Sequence, residues 1–226
     1  NLHTFSVAFD EGGDSDETPF ARLVAKTLGT KHNEVTIGQK EFIDFLPRFV
    51  VSTDEPLADL ASIPLYFVSA LAKRDVKVVL SGEGADETLA GYDMEGLARQ
   101  FDRLKAAAAL PAPMRSALAK IASRLQRPLA AAVLRRGAAD ALGDLHAHMT
   151  RVWTEQEKAE FWRASPAPHA TDDLIKSWYG ECVSRQPIDQ MQQVYCRSWL
   201  VEDLLMKADK MSMAASLELR CPFLDH

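Results

Sequence analysis

Residues 78–92 read VVLSGEGADETLAGY: an apolar, strand-like run enters a glycine-bearing loop that places Glu83, Asp86 and Glu87 within five positions. Glycine-rich loops after strands commonly hold phosphates, and carboxylates repel phosphates. The loop is not a Walker A loop, since it lacks the GK[ST] lysine, and GEGADE is not the G-x-G-x-x-G dinucleotide fingerprint. Acids can face a polyphosphate only with a divalent cation between them, and Mg²⁺ takes one or two carboxylates together with phosphate oxygens and water. Gly82 and Gly84 would let backbone N–H groups approach an anion closely. The residue types therefore point to a Mg²⁺-nucleotide. The alternative is a surface turn at a strand end with solvated acids.

A second group of chemically capable residues lies in residues 203–226, DLLMKADKMSMAASLELRCPFLDH. Asp203 and Lys207 are i,i+4, and Lys207 and Lys210 are i,i+3, so one helix face carries two ammonium groups. The competing interpretation is an amphipathic helix with a snorkelling lysine and an Asp203–Lys207 ion pair.

The elements that must position these residues alternate over the first ninety positions. HTFSVAF (residues 3–9) is β-branched and aromatic and predicts a strand. After an acidic loop, Asp16 can cap a helix near Pro19. In that helix Phe20, Leu23, Val24 and Leu28 recur at helical spacing, and Gly29 supplies a stop. EVTI (34–37) predicts a second strand. Phe42, Phe45, Leu46, Phe49 and Val50 give another helical face, interrupted by Pro47. A third helix starts at Ser62 and runs to about Lys73, and VKVVL (76–80) predicts a third strand, nearly all apolar. Apolar strands separated by helices indicate an α/β fold: a parallel sheet with helices on both faces. Ligands of such sheets sit beyond the carboxyl ends of the strands, where both acidic loops leave. Residues 93–226 read mainly as helix, with Pro111, Pro113 and Pro128 as breaks, a TEQE capping box from Thr154 and a loop at 165–169. A long apolar-periodic stretch covers about 188–217. A soft boundary near residue 92 separates the α/β part from the helical part, with a return of the last helices to the sheet as the alternative.

Bulk properties narrow the function further. The 226 residues are 47% hydrophobic and 26% charged, with a net charge of −6. Such an acidic balance argues against a nucleic-acid surface, and no apolar run approaches the roughly 20 residues that span a bilayer. Cys182, Cys196 and Cys221 are odd in number and lack CxxC spacing, which suits reduced thiols in a cytoplasmic protein. His146 and His148 read as a surface pair rather than zinc ligands, and the four tryptophans (153, 162, 178 and 199) as core residues.

Taken together, these stretches resemble the asparagine synthetase family. VVLSGEGADETLAGY resembles its strand–loop SG[DE]G[AGS]DE[LV]FGGY. The 203–226 segment resembles D-x-L-x-K-x-D-[RK]-x-S-M-A-x-S-[LV]-E-x-R-x-P-F-L-D. HTFSVAFDEGGDSDETPFARLVAKTLGTKHNEV and DEPLADLASIPLYFVSALA resemble its second strand and helix and its connecting segment, in order. The matches cover about residues 1–92 and 200–226. The resemblance implies an adenine nucleotide alpha hydrolase-like fold of the ATP-pyrophosphatase type. It also implies ATP-dependent amidation of a carboxylate, most simply aspartate to asparagine through β-aspartyl-AMP, with ammonia from glutamine. By the same resemblance, Val7 would meet adenine through its backbone, Ser81 and Gly82 would contact the nucleotide, and Asp86 would bind Mg²⁺. Glu83 would act as proton acceptor near the reacting carboxylate, although a loop glutamate could equally bind a second Mg²⁺ or a substrate amine. Lys210 would neutralise charge on pyrophosphate and on the adenylate. The implied cofactors are ATP and Mg²⁺. The implied partners are the small-molecule substrates, with a homodimer as one assembly the resemblance admits and neither nucleic acid nor membrane.

The sequence departs from the pattern in places. TLAGY replaces FGGY, and Leu60 stands where aspartate-specific members carry an arginine, so a different carboxylate, such as a sugar acid of an exopolysaccharide, is an alternative acceptor. No S-G-G-x-D-S-S pyrophosphate loop and no terminal cysteine nucleophile occur in these residues, so the chain reads as an internal piece of a synthetase domain. A non-catalytic nucleotide-binding module is the remaining alternative.

Overall fold

A computed structural model describes residues 2–10, 17–57, 59–125, 127, 130–131, 133–134, 141–150, 152–153, 155–161, 170–184 and 186–225. Asp16, Thr154, the 165–169 loop, Pro128, Trp162 and the side chain of His148 lie outside the described residues. The chain divides into two compact units, Asn1–Ala85 with Ser198–His226, and Asp86–Arg197.

In the first unit β1 (His3–Phe9) runs parallel to β2 (Lys31–Ile37), with Val7 opposite Val35. α1 (Thr18–Leu28) joins them and ends as the sequence indicates, at Gly29 in a left-handed conformation, φ 64°. β2 starts three residues before the EVTI run because its polar leader is knitted to β1 by side chains. Thr4 Oγ1 lies 2.9 Å from His32 Nδ1, and His32 Nε2 lies 3.0 Å from Glu34. α2 (Gln39–Thr53) continues through Pro47 without the expected interruption. A proline inside a helix costs about 3 kcal/mol. Against this stand Phe45 and Phe49, buried with Ile63 and Met211, and the stacking of Phe45 on Tyr66 at 4.2 Å between ring centroids. α3 (Ser62–Ala72) packs on β1 and β2.

β3 (Val78–Leu80) is shorter than its apolar run and pairs in parallel with β4 (Glu218–Arg220), a strand the sequence did not signal. Among the described residues each sheet has two strands. The parallel pairing matches an α/β fold, but burial on both faces does not hold for β3: Val78 is 48% and Leu80 75% exposed. The reason lies in the sheet edges. Among the described residues β1 pairs only with β2 and β3 only with β4. Leu2, Phe5, Val68, Ala72, Val79 and Leu217 help to line an apolar groove of about 660 Å³ that both strands border.

The second unit is helical. α4 (Ala85–Leu89) begins at the boundary and is followed by α5 (Met94–Ala108), α6 (Ala112–Arg124), α7 (Ala141–Thr150), α8 (Glu155–Phe161), α9 (Ala170–Gly180) and α10 (Pro187–Arg197). Pro111 and Pro113 fall at the start of α6, where prolines are tolerated. Met94, Phe101, Val133, Leu142, Leu145 and Met191 form its core. His146 is not on the surface: it is 8% exposed, and its Nδ1 lies 2.9 Å from the Tyr179 hydroxyl. Trp153 and Trp199, by contrast, are 49% and 41% exposed, so neither is a core residue.

Burial lowers the His146 pKa to about 4 from an ordinary 6.5. The unfolded chain therefore binds the extra proton first as pH falls. Stability should be unaffected by this group above pH 6.5 and should decline towards pH 4, by about 2–3 kcal/mol at pH 4.5. Urea unfolding at pH 7 and 4.5 measures the loss, and His146→Gln should remove that part of it. An unchanged pH slope in the variant would assign the loss to other groups.

Candidate functional site

Ser81–Gly84 is a turn fixed from several directions. The Ser81 amide donates to the Arg220 carbonyl at 2.9 Å, which extends the β3–β4 pairing into the loop. The Glu83 amide donates to Ser81 Oγ at 3.3 Å, and the Ala85 amide to the Gly82 carbonyl at 3.1 Å. The two glycines serve different ends. Gly84 has φ +90°, and a Cβ there would overlap Leu224 Cδ2, so its identity follows from backbone conformation and from packing of the PFLD segment. Gly82 is exposed with nothing within 4 Å of an added Cβ, and only this glycine leaves the open approach expected for an anion. Glu83 is half-buried beside Cys221, whose thiol is pushed up by burial and then by the Glu83 charge.

Asp86 is exposed on α4, and its carboxylate makes no hydrogen bond or ion pair among the described residues. A Cβ on Gly91 would overlap Asp86 Oδ1, so the carboxylate rests against the bare glycine. The next acid, Glu87, behaves in the opposite way. It is 1% exposed and accepts a 2.5 Å hydrogen bond from the Tyr92 hydroxyl. Of the three loop acids, then, Glu87 is internal. No group of three His, Cys, Asp or Glu side chains suited to a metal occurs among the described residues. A single exposed carboxylate nevertheless fits Mg²⁺ whose other ligands are phosphate oxygens and water.

The lysines of the 203–226 segment also separate. The stretch from 188 is not one helix. A π-helical turn, Leu200–Leu205, precedes α11 (Met206–Ala214). Asp203 and Lys207 form no direct ion pair among the described residues, although the Lys207 charge still acts on Asp203. Lys207, 8% exposed, instead donates to Asp59 Oδ2 at 2.6 Å, and Asp59 Oδ1 accepts from the Ala61 amide at 2.8 Å. Burial, and then the Asp59 charge, raise the Asp203 pKa. Lys210 is half-buried, and its ammonium makes no hydrogen bond or ion pair among the described residues. Val7 sits half-buried in mid-strand, and it is Leu2 and the first residues of β1, His3–Phe5, that share the apolar groove with Ser81.

The family described as asparagine synthase matches residues 1–226. The chain belongs to the asparagine synthase family. Asparagine synthetase [glutamine-hydrolyzing] 1 of Bacillus subtilis is 36% identical over 225 residues, covering 100% of this chain and 35% of that protein. A putative asparagine synthetase [glutamine-hydrolyzing] of Mycobacterium tuberculosis H37Rv is 36% identical over 227 residues, covering 99% of this chain and 34% of that protein. Amidase chyE of Penicillium rubens is 27% identical over 247 residues, covering 100% of this chain and 36% of that protein. The chain therefore spans about a third of the length of the relatives it matches. Membership supports ATP-dependent amidation at the level of the family. No helix among the described residues is long and apolar enough to cross a membrane.

Proposed function

We propose that the chain carries part of the synthetase site of a cytoplasmic ligase. This ligase converts aspartate to asparagine through β-aspartyl-AMP, using ATP, Mg²⁺ and ammonia from glutamine. The observation that supports it most is the separation of side chains within the two family motifs. Glu87 and Lys207 are buried in internal bonds, whereas Asp86 and Lys210 have no partner among the described residues and are free to meet a ligand. In this reading Val7 faces adenine through its backbone, and Ser81 and Gly82 contact the nucleotide. The substrate carboxylate oxygen attacks the α-phosphorus of ATP, the α–β bridging P–O bond breaks, and pyrophosphate leaves. Lys210 offsets the charge that develops on the phosphates, a contribution that grows toward the transition state. Ammonia then adds to the acyl carbon, AMP departs, and Glu83 takes the surplus proton. Mg²⁺, held through Asp86, supplies charge neutralisation of the polyphosphate when bound.

The acceptor is the more open part of the reading. Leu60 is 58% exposed where some aspartate-specific members carry arginine, so another carboxylate is the second candidate. Side-by-side pyrophosphate release with aspartate and with sugar acids separates the two.

Asp86→Asn in the full-length protein tests the metal role. The amide keeps the size but loses the charge, so Mg-ATP affinity should fall by about 100-fold, the upper part of the range for disturbing a metal site, while glutaminase activity stays intact. Unchanged affinity and rate would return the loop to a plain turn.

A further inference from the structure

The helical unit beyond Asp86 has no role in the reading above, and the structure supplies one for α10 through α4. A five-residue helix cannot hold itself, since the first turn fixes several dihedrals for one hydrogen bond. α4 is instead held at three points. The turn after it brings the Gly91 amide back to the Asp86 carbonyl at 2.8 Å, with Ala90 at φ 59° and Asp93 at φ 51°, a conformation that non-glycine residues avoid. The buried Glu87 carboxylate is bonded to the Tyr92 hydroxyl. Finally, Gln192 Nε2 donates to the carbonyls of Thr88 at 2.8 Å and Glu87 at 3.4 Å.

Gln192 and Tyr195 are i,i+3 on α10, and the Tyr195 ring lies 5.6 Å from that of Tyr92, so one face of α10 meets both ends of this arrangement. The opposite obligations of α10 are to the core: Met191 and Val194 are 2% and 0% exposed. Its position is therefore set by the helical core and is passed to α4 by one amide and two phenols. Asp86 is the residue of α4 that remains free, seated on Gly91 inside the turn that these contacts close.

We propose that Gln192 and Tyr92 are positioning residues that fix the Asp86 carboxylate for its metal, so that the helical unit tunes metal affinity. This rests on the proposed metal role of Asp86. Positioning groups around a metal ligand typically change metal affinity 10- to 100-fold. Gln192→Met keeps the length of the side chain and removes both donated hydrogen bonds, and Tyr92→Phe removes only the hydroxyl.

The experiment titrates Mn²⁺, as a paramagnetic stand-in for Mg²⁺, into the full-length protein with a non-hydrolysable ATP analogue. Free Mn²⁺ is followed by electron paramagnetic resonance well below the melting temperature. Each variant should weaken Mn²⁺ binding about 10-fold, and Asp86→Asn should weaken it more. If Asp86→Asn weakens binding and both positioning variants bind Mn²⁺ like the parent, the inference is overturned while the role of Asp86 stands. If Asp86→Asn also binds normally, both fail. Should Gln192→Met not fold, Tyr92→Phe decides the matter by the same titration.

Discussion

Replacing Lys210 by alanine in the full-length protein is expected to cut ammonium-dependent pyrophosphate release by at least ~10²-fold, the scale of losing one charge-stabilising donor. The melting temperature should barely move. Two lysines three residues apart, on the same element, make the case. Lys207 is 8% exposed and bonded to Asp59 at 2.6 Å, so its charge is already used in holding α11 to the segment before α3. Lys210 has no such partner among the described residues, and a half-buried ammonium without a counter-charge contributes little to folding. Its charge is available to an anion that arrives with the substrate, and a group that meets developing charge acts on the transition state more than on the ground state. Lys207→Met supplies the contrast. It strands the Asp59 carboxylate, and breaking a buried pair costs roughly 3–5 kcal/mol. The low end applies here because the Asp59 side chain is 22% exposed. Lys210→Ala turning over at a near-normal rate would make Lys210 a surface lysine and nothing more.

Residues 1–226 alone are expected to release no pyrophosphate from ATP with aspartate and ammonium, and to bind ATP weakly. Adenylation needs the pyrophosphate held in place while the α-phosphorus is attacked, because phosphoryl-group chemistry depends on positioning and charge neutralisation. In the family the resemblance points to an SGG-x-DSS loop for this task, and these residues contain none. The structure adds a physical reason. One edge of β1 and one edge of β3 have no strand partner among the described residues, and the groove that β1 and β3 border is apolar and open. Backbone donors and acceptors along such edges call for another strand. The Ser81 loop leaves β3, so its position depends on a strand with an unsupported edge. Using ammonium as nitrogen donor bypasses glutamine hydrolysis in the assay. Turnover close to that of the full-length protein would show that the phosphate site lies elsewhere in these residues.

Much of this could be read from the sequence because the signals are local. β1 was legible as HTFSVAF because alternation and β-branching act within one strand, and α1 ended at Gly29 because a left-handed cap suits glycine. The turn after β3 was legible because two glycines and three acids follow an apolar run. Family membership was legible because two motifs occur in order. What the sequence could not decide depends on residues far apart along the chain. The partner of Lys207 is 148 positions away, and local spacing instead suggested Asp203. Gln192 reaches the α4 carbonyls across 104 and 105 positions from within an ordinary amphipathic helix, and nothing in its neighbourhood marks it. His146 is drawn inside by Tyr179, and β4 is a strand only because β3 lies beside it. The sequence by itself determined which chemical groups are present and the local conformations that carry them. Tertiary structure decided which of those groups are spent on one another and which are left for a ligand, because a charge is satisfied by whatever packing brings within about 3 Å, not by its neighbours in sequence.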